Sequence, residues 1–174
     1  MPEEINRIVT DSICDYLLSP TIDAVNNLLR EGRKNDEIIL VGNIMIDTMF
    51  NFKEEISSSS ILSKLNLREI EYATLTLHRP SNVDDRKRIK KIFSALSEIQ
   101  KEILIVFPIH PRTKKMINIF GLENYFAKMK NVFLLDPLGY FDFGKLISKS
   151  KCILTDSGGI QHAVELKKFY RFHY

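Results

Sequence analysis

Apolar and polar positions along this chain follow two rhythms. From about residue 69 onward, short apolar runs of strand character alternate with longer segments of helical spacing. The strand-like runs are residues 72–77, 103–109, 132–135 and 152–154. Between them, Ile89, Ile92, Phe93 and Leu96 share one face of a helix predicted over residues 84–99, and Phe143, Leu146 and Ile147 mark a shorter helix after the third strand. Strand–helix alternation at this spacing predicts βαβ units: a parallel sheet with helices on both faces.

The first 68 residues are less regular. Pro2 ahead of Glu3 and Glu4 is a helix-start signal, and Ile5, Ile8, Val9 and Ile13 recur at helical spacing. An extended piece at 16–18, a helix ending near Arg30, and a strand at 37–41 follow, with too few strands for a complete sheet. Residues 44–56 read as one amphipathic helix, after which Ser57, Ser58, Ser59 and Ser60 interrupt the pattern, either as a linker or as the cap of a short helix through Leu65. The expected division is a partial first domain at 1–56, a linker at 57–68 and a second domain at 69–174.

Composition changes this picture little. With 44% hydrophobic and 27% charged residues and a formal net charge of +3, the chain has globular composition and is mildly basic. No face combines Lys/Arg density with interleaved aromatics, which argues against nucleic acid; Arg86, Lys87, Arg88, Lys90 and Lys91 read as the solvated face of a helix. Cys14 and Cys152 fall in segments expected to be buried, without metal-like spacing. No stretch reads as a signal peptide or a bilayer span, so the expectation is a cytoplasmic protein with no membrane association.

Candidate chemistry gathers at the strand ends. In an open parallel sheet, ligands bind outside the carboxyl ends of the strands. Just past the four strands lie His78-Arg79-Pro80, His110-Pro111-Arg112, Asp136-Pro137-Leu138-Gly139-Tyr140 and Asp156-Ser157-Gly158-Gly159. A strand followed by Ser-Gly-Gly and a helix lets backbone N–H groups approach an anion closely. An isolated Ser-Gly-Gly is more often an ordinary capped turn, and a lone strand-end histidine more often structural. Two histidine loops, two arginines and a glycine turn on one rim point instead to an anionic ligand, most simply a nucleotide diphosphate.

Six ordered motifs carry a resemblance: Pro2-Glu3-Glu4-Ile5-Asn6-Arg7, Val41-Gly42-Asn43, Thr76-Leu77-His78-Arg79-Pro80-Ser81-Asn82-Val83-Asp84, Phe107-Pro108-Ile109-His110-Pro111-Arg112-Thr113, Asp136-Pro137-Leu138-Gly139-Tyr140, and Leu154-Thr155-Asp156-Ser157-Gly158-Gly159-Ile160-Gln161. Together they resemble the non-hydrolysing UDP-N-acetylglucosamine 2-epimerases. The resemblance implies a glycosyltransferase-B-like α/β fold of two Rossmann-like halves with the site in the cleft between them. It implies interconversion of UDP-N-acetylglucosamine and UDP-N-acetylmannosamine for surface polysaccharides, by elimination of UDP to 2-acetamidoglucal and re-addition. No metal or other cofactor is required.

Carried over by position, Glu3 matches a catalytic-site glutamate, Arg7 a substrate-binding arginine, His78 a histidine at the diphosphate and Phe143 an aromatic near the uracil; Glu3, Arg7 and His78 make up the catalytic set that the resemblance implies. Ser157, Gly158 and Gly159 match the phosphate-binding turn, and Arg79 joins the UDP-binding set from its place on the rim. First-turn acidity favoured by the helix dipole is the competing reading of Glu3, and core packing that of Phe143.

The departures matter too. The chain matches about the middle half of a family member, with the first domain largely missing. Ala163 stands where the family carries a ribose-binding glutamate, and residues 167–174 are an unusual aromatic run. The expectation is a truncated or split member, inactive alone, that binds UDP-N-acetylglucosamine and has a separately encoded N-terminal half or a second copy as a possible partner. The alternatives are a nucleotide-sugar-binding remnant without turnover and another glycosyltransferase-B-type sugar transferase.

Overall fold

The structure of the chain, a computed structural model, describes residues 2–160. The contacts divide it into two units, one ending at Phe50 and one beginning at Asn51.

The first unit holds helix α1 (Pro2–Ile13), strand β1 (Leu17–Ser19), helix α2 (Ile22–Arg30), strand β2 (Ile38–Leu40) and helix α3 (Ile44–Asn51). Strands β1 and β2 pair in parallel, with Leu17 opposite Ile38. Thr21 starts α2 by accepting the Ala24 N–H at 3.2 Å, which satisfies one of the donors a helix start leaves unpaired. The predicted helix at 44–56 is two helices, because the chain leaves helical geometry at Phe52 before α4 (Lys53–Ser58) begins.

The second unit continues with α5 (Ile61–Lys64), β3 (Tyr72–Thr76), α6 (Pro80–Val83), α7 (Arg86–Ile99), β4 (Leu104–Pro108), α8 (Pro111–Phe120), α9 (Glu123–Ala127), β5 (Val132–Leu135), α10 (Tyr140–Lys149) and β6 (Cys152–Thr155). The four strands are all parallel, in the order β5-β4-β3-β6. Side chains alternate across a strand, so Leu75, Ile105 and Phe107 face one helical layer while Tyr72 and Val106 face the other. The first core packs them with Ile89, Phe93 and Leu96 of α7, Ile117 of α8, Leu122 and Met129. The second packs Tyr72 and Val106 with Ile61, Leu62, Leu67 and Leu146. The sheet thus has helices on both faces, as the alternation predicts.

Residues 57–68, expected as a linker, contribute Ile61, Leu62 and Leu67 to this second core. The serine run interrupts one helix and starts the next: the Ser59 hydroxyl accepts the Ile61 N–H and donates to Asp142 at the start of α10. The predicted helix over 84–99 begins later, at Arg86, because Asp85 caps it by accepting the N–H groups of Lys87 and Arg88. The cysteines are less buried than expected: Cys14 is half-buried, and Cys152 is exposed because β6 lies at the edge of the described sheet. The aromatic run at 167–174 and the Ala163 departure lie outside the described residues.

Candidate functional site

Strand order decides where a site can form. The chain adds β4 and then β5 on one side of β3, then returns to place β6 on the other side. The connection leaving β3, through α7, packs on one face of the sheet and the connection entering β6, through α10, on the other. The carboxyl ends of β3 and β6 are therefore the switch point, the place where open α/β sheets hold ligands in a crevice. The loops that flank it carry His78-Arg79 and Asp156-Ser157-Gly158.

These two loops are tied together by one side chain. The Asp156 carboxylate, only 9% exposed, accepts the backbone N–H of His78 (3.0 and 3.2 Å), the backbone N–H of Arg79 (2.8 Å) and the side-chain amide of Asn82 (3.1 Å). The Nδ1 atom of the His78 ring lies 3.0 Å from its Oδ1. Burial pushes the Asp156 carboxyl up, but the N–H groups of Arg79, Asn82 and His78 outweigh it and hold the group below its ordinary value. Below this junction, Thr76 and Thr155 face each other across β3 and β6 with hydroxyls 2.6 Å apart. The Thr155 hydroxyl also accepts the Ser157 N–H at 2.9 Å, which fixes the turn.

Beyond Ser157 the chain turns helical at Gly158. The first N–H groups of a helix have no acceptor within it, so this turn presents donors. A side chain on Gly158 would come 3.6 Å from a terminal guanidinium nitrogen of Arg79, which places that cation against the glycine turn. Among the described residues the Arg79 guanidinium has no acidic partner and the Ser157 hydroxyl no hydrogen bond. A cation, a hydroxyl and a helix start converge here, a combination suited to a phosphate oxygen.

The rest of the rim behaves differently. Arg112 forks onto Asp84, with Nε to Oδ1 at 3.0 Å and Nη2 to Oδ2 at 2.5 Å, and this bond holds the Asp84 carboxyl down. His110 caps α8: its Nδ1 accepts the Arg112 N–H at 3.1 Å. Lys114 reaches Asp136 at 3.3 Å. Of the two rim arginines, Arg112 is therefore committed to an acid, and Arg79, on the β3–β6 side, has no acidic partner among the described residues. Asp156 escaped the sequence reading as an organising group. Its signal was an acid ending a strand directly before Ser-Gly-Gly, where a ligand turn needs an anchor to a neighbouring loop.

The remaining sequence candidates sit elsewhere. Phe143 is half-buried on α10. In the first unit, Glu3 is exposed on α1, with no side-chain partner among the described residues. Arg7 is engaged by three acids: Glu4 at 2.7 Å, Asp11 at 2.7 Å and Glu31 at 2.6 Å. Among the described residues no group of three acidic, histidine or cysteine side chains could hold a metal, and no helix is long and apolar enough to cross a membrane.

The sequence profile described as UDP-N-acetylglucosamine 2-epimerase matches residues 1–170. The chain belongs to the UDP-N-acetylglucosamine 2-epimerase family. One relative is the UDP-N-acetylglucosamine 2-epimerase of Methanocaldococcus jannaschii, 43% identical over 166 residues, covering 92% of this chain and 45% of the relative. Another is the UDP-2,3-diacetamido-2,3-dideoxy-D-glucuronate 2-epimerase of Pseudomonas aeruginosa, 40% identical and covering 92% of this chain and 44% of the relative. Among solved structures, the M. jannaschii UDP-GlcNAc 2-epimerase in complex with UDP-GlcNAc and UDP superposes with a TM-score of 0.89 at 40% identity, over 97% of this chain and 47% of that one. The chain thus spans about half the length of the epimerases it matches. The α/β fold of glycosyltransferase-B type expected from the motifs is the fold of this epimerase family member, and the family is one of isomerases.

Proposed function

We propose that the crevice between β3 and β6 binds the diphosphate of a UDP-sugar, and that the chain serves 2-epimerisation of UDP-N-acetylglucosamine. The observation that carries this reading is the junction at Asp156, which brings His78, Arg79 and the Ser157-Gly158 turn together at the switch point. Arg79 and the turn take the phosphate oxygens, and His78 stands at the diphosphate. Phe143 is the proposed neighbour of the uracil.

The chemistry explains why holding the diphosphate matters. The proton on C2 of the sugar lies next to no carbonyl, so direct removal would leave an unstabilised carbanion. When the C1–O bond breaks first, its electron pair leaves with UDP and the sugar gains oxocarbenium character. A carboxylate can then take the C2 proton to give the glycal; returning a proton to the opposite face of C2, with UDP re-adding to C1 on the face it left, inverts C2 alone. The site must stabilise charge on departing UDP and retain it for re-addition. Glu3 is the proposed carboxylate. Arg7 keeps a substrate-binding role if a ligand anion replaces one of its three acids.

A second reading concerns the sugar. The Pseudomonas relative named for a diacetamido-glucuronate substrate is nearly as similar as the Methanocaldococcus one, so overall identity does not choose between their substrates. Both names share UDP and a 2-acetamido group, the features the proposed chemistry uses. We further propose that turnover needs the remaining half of the family fold, supplied by a separately encoded chain; a homodimer is the other assembly proposed. Incubating the purified chain with either UDP-sugar should yield no epimer. Adding the N-terminal half of a relative should restore conversion of one of them. Conversion by residues 1–174 alone would contradict the need for that half.

A further inference from the structure

Two histidines stand on adjoining strand ends with ring centroids 5.5 Å apart. Their hydrogen bonds require opposite protonation patterns. Nδ1 of His110 receives the Arg112 N–H, so that nitrogen must carry its lone pair and the proton of the neutral ring sits on Nε2. Nδ1 of His78 faces Oδ1 of Asp156 at 3.0 Å, and an ionised carboxylate only accepts, so here the proton sits on Nδ1.

We infer that Asp156 is a positioning residue for His78, fixing its ring as the Nδ1–H tautomer and leaving Nε2 as the ring's one nitrogen free to accept or give a proton. This inference rests on the placing of His78 at the diphosphate. The exposures separate the two roles: the His78 side chain is 38% exposed and that of Asp156 9%, so the acid acts through the ring. Asp156 also has no freedom to turn away, because three further donors hold it: the N–H groups of His78 and Arg79 and the amide of Asn82. The crevice therefore carries two unlike imidazoles, His110 with an N–H donor at Nε2 and His78 with a basic Nε2. The other titratable or charged groups on the rim are His110, the Arg79 cation, the Arg112–Asp84 pair and the Lys114–Asp136 pair, and none of them is bonded to Nδ1 of His78. A ring held in this way suits a group that exchanges a proton with a diphosphate whose charge changes during reaction.

The substitution Asp156→Asn isolates the effect. An amide oxygen in the place of Oδ2 keeps the donors from His78, Arg79 and Asn82, while the amide nitrogen in the place of Oδ1 now donates to Nδ1. The test is long-range 1H–15N correlation of imidazole nitrogens in the 15N-histidine-labelled chain, with signals assigned through His78→Gln and His110→Gln. At a pH where both rings carry a single proton, the expected result is the His78 proton on Nδ1 in the wild type and on Nε2 in D156N, with the His110 proton on Nε2 in both. An Nε2–H tautomer of His78 in the wild type would overturn the inference, as would an unchanged tautomer in a folded D156N. The wild-type spectrum decides even if D156N does not fold. UDP affinity, measured separately by calorimetry, should fall about tenfold in D156N, the loss expected when one charge-assisted hydrogen bond is mis-set. If the wild type does not bind UDP while its tautomers are as expected, the nucleotide assignment fails and the Asp156–His78 pairing stands.

Discussion

At the scale of single residues, Asp156 shows how one shielded carboxylate can tie two loops together. Its carboxyl is held below the ordinary value by the donors of the His78 loop, despite burial that pushes it up. The sign of the pH effect follows. A depressed folded-state pKa adds stability that is fully present above the unfolded aspartate value of about 3.9 and is lost as pH falls through the folded value. Urea unfolding across pH should therefore show wild type and D156N differing by a constant amount above about pH 5, with the difference shrinking in acid. A difference unchanged down to pH 2 would contradict the role given to this carboxylate. His78, Arg79 and Ser157 stood out as candidates in the sequence because of their types and strand-end positions, and the structure brings their loops together. The sequence could not reveal that Arg112 is committed to Asp84, 28 residues away, or that His110 caps a helix, since both depend on how separate loops meet.

At the scale of elements, hydrophobic period was the strongest guide. The face of α7 read from Ile89, Phe93 and Leu96 is the face that packs on the sheet, where Phe93 is fully buried against Tyr125 and Phe126. Phe93→Ala should destabilise the chain by about 3–5 kcal/mol in chemical denaturation, through lost burial and the cavity left behind. Gly121 ends α8 with φ of 62°, and a side chain there would meet nothing within 4 Å. The cost of Gly121→Ala is thus purely backbone strain, about 1 kcal/mol by the same measurement, with Asn costing less than Ala. Gly144 on α10 is a different case: a side chain would come 3.2 Å from Ile56 of α4, so this glycine permits close packing of the two helices. The break at Phe52 was illegible because residues on both sides keep helical spacing. The serine run allowed two readings, a linker or a helix cap, because serines that cap packed helices look like serines in a linker; Ser59 is placed as a cap on Ile61.

At the scale of the whole molecule, the alternation from residue 69 onward conveyed a parallel sheet with helices on both faces, and six motifs conveyed the family. Strand order was not legible, because a sequence of βα units does not say on which side of the first strand the last one is laid. That choice creates the switch point, and with it the crevice that joins the loops after β3 and β6. The proposed occupant of this crevice is a nucleotide diphosphate. Calorimetric titration of the purified 174-residue chain with UDP tests it most directly, with Arg79→Ala and Ser157→Ala titrated alongside. Saturable binding at micromolar UDP, weakened at least about tenfold in each variant, is the predicted result. A folded wild-type chain that takes up no UDP, or one whose affinity is unchanged by both substitutions, would contradict it.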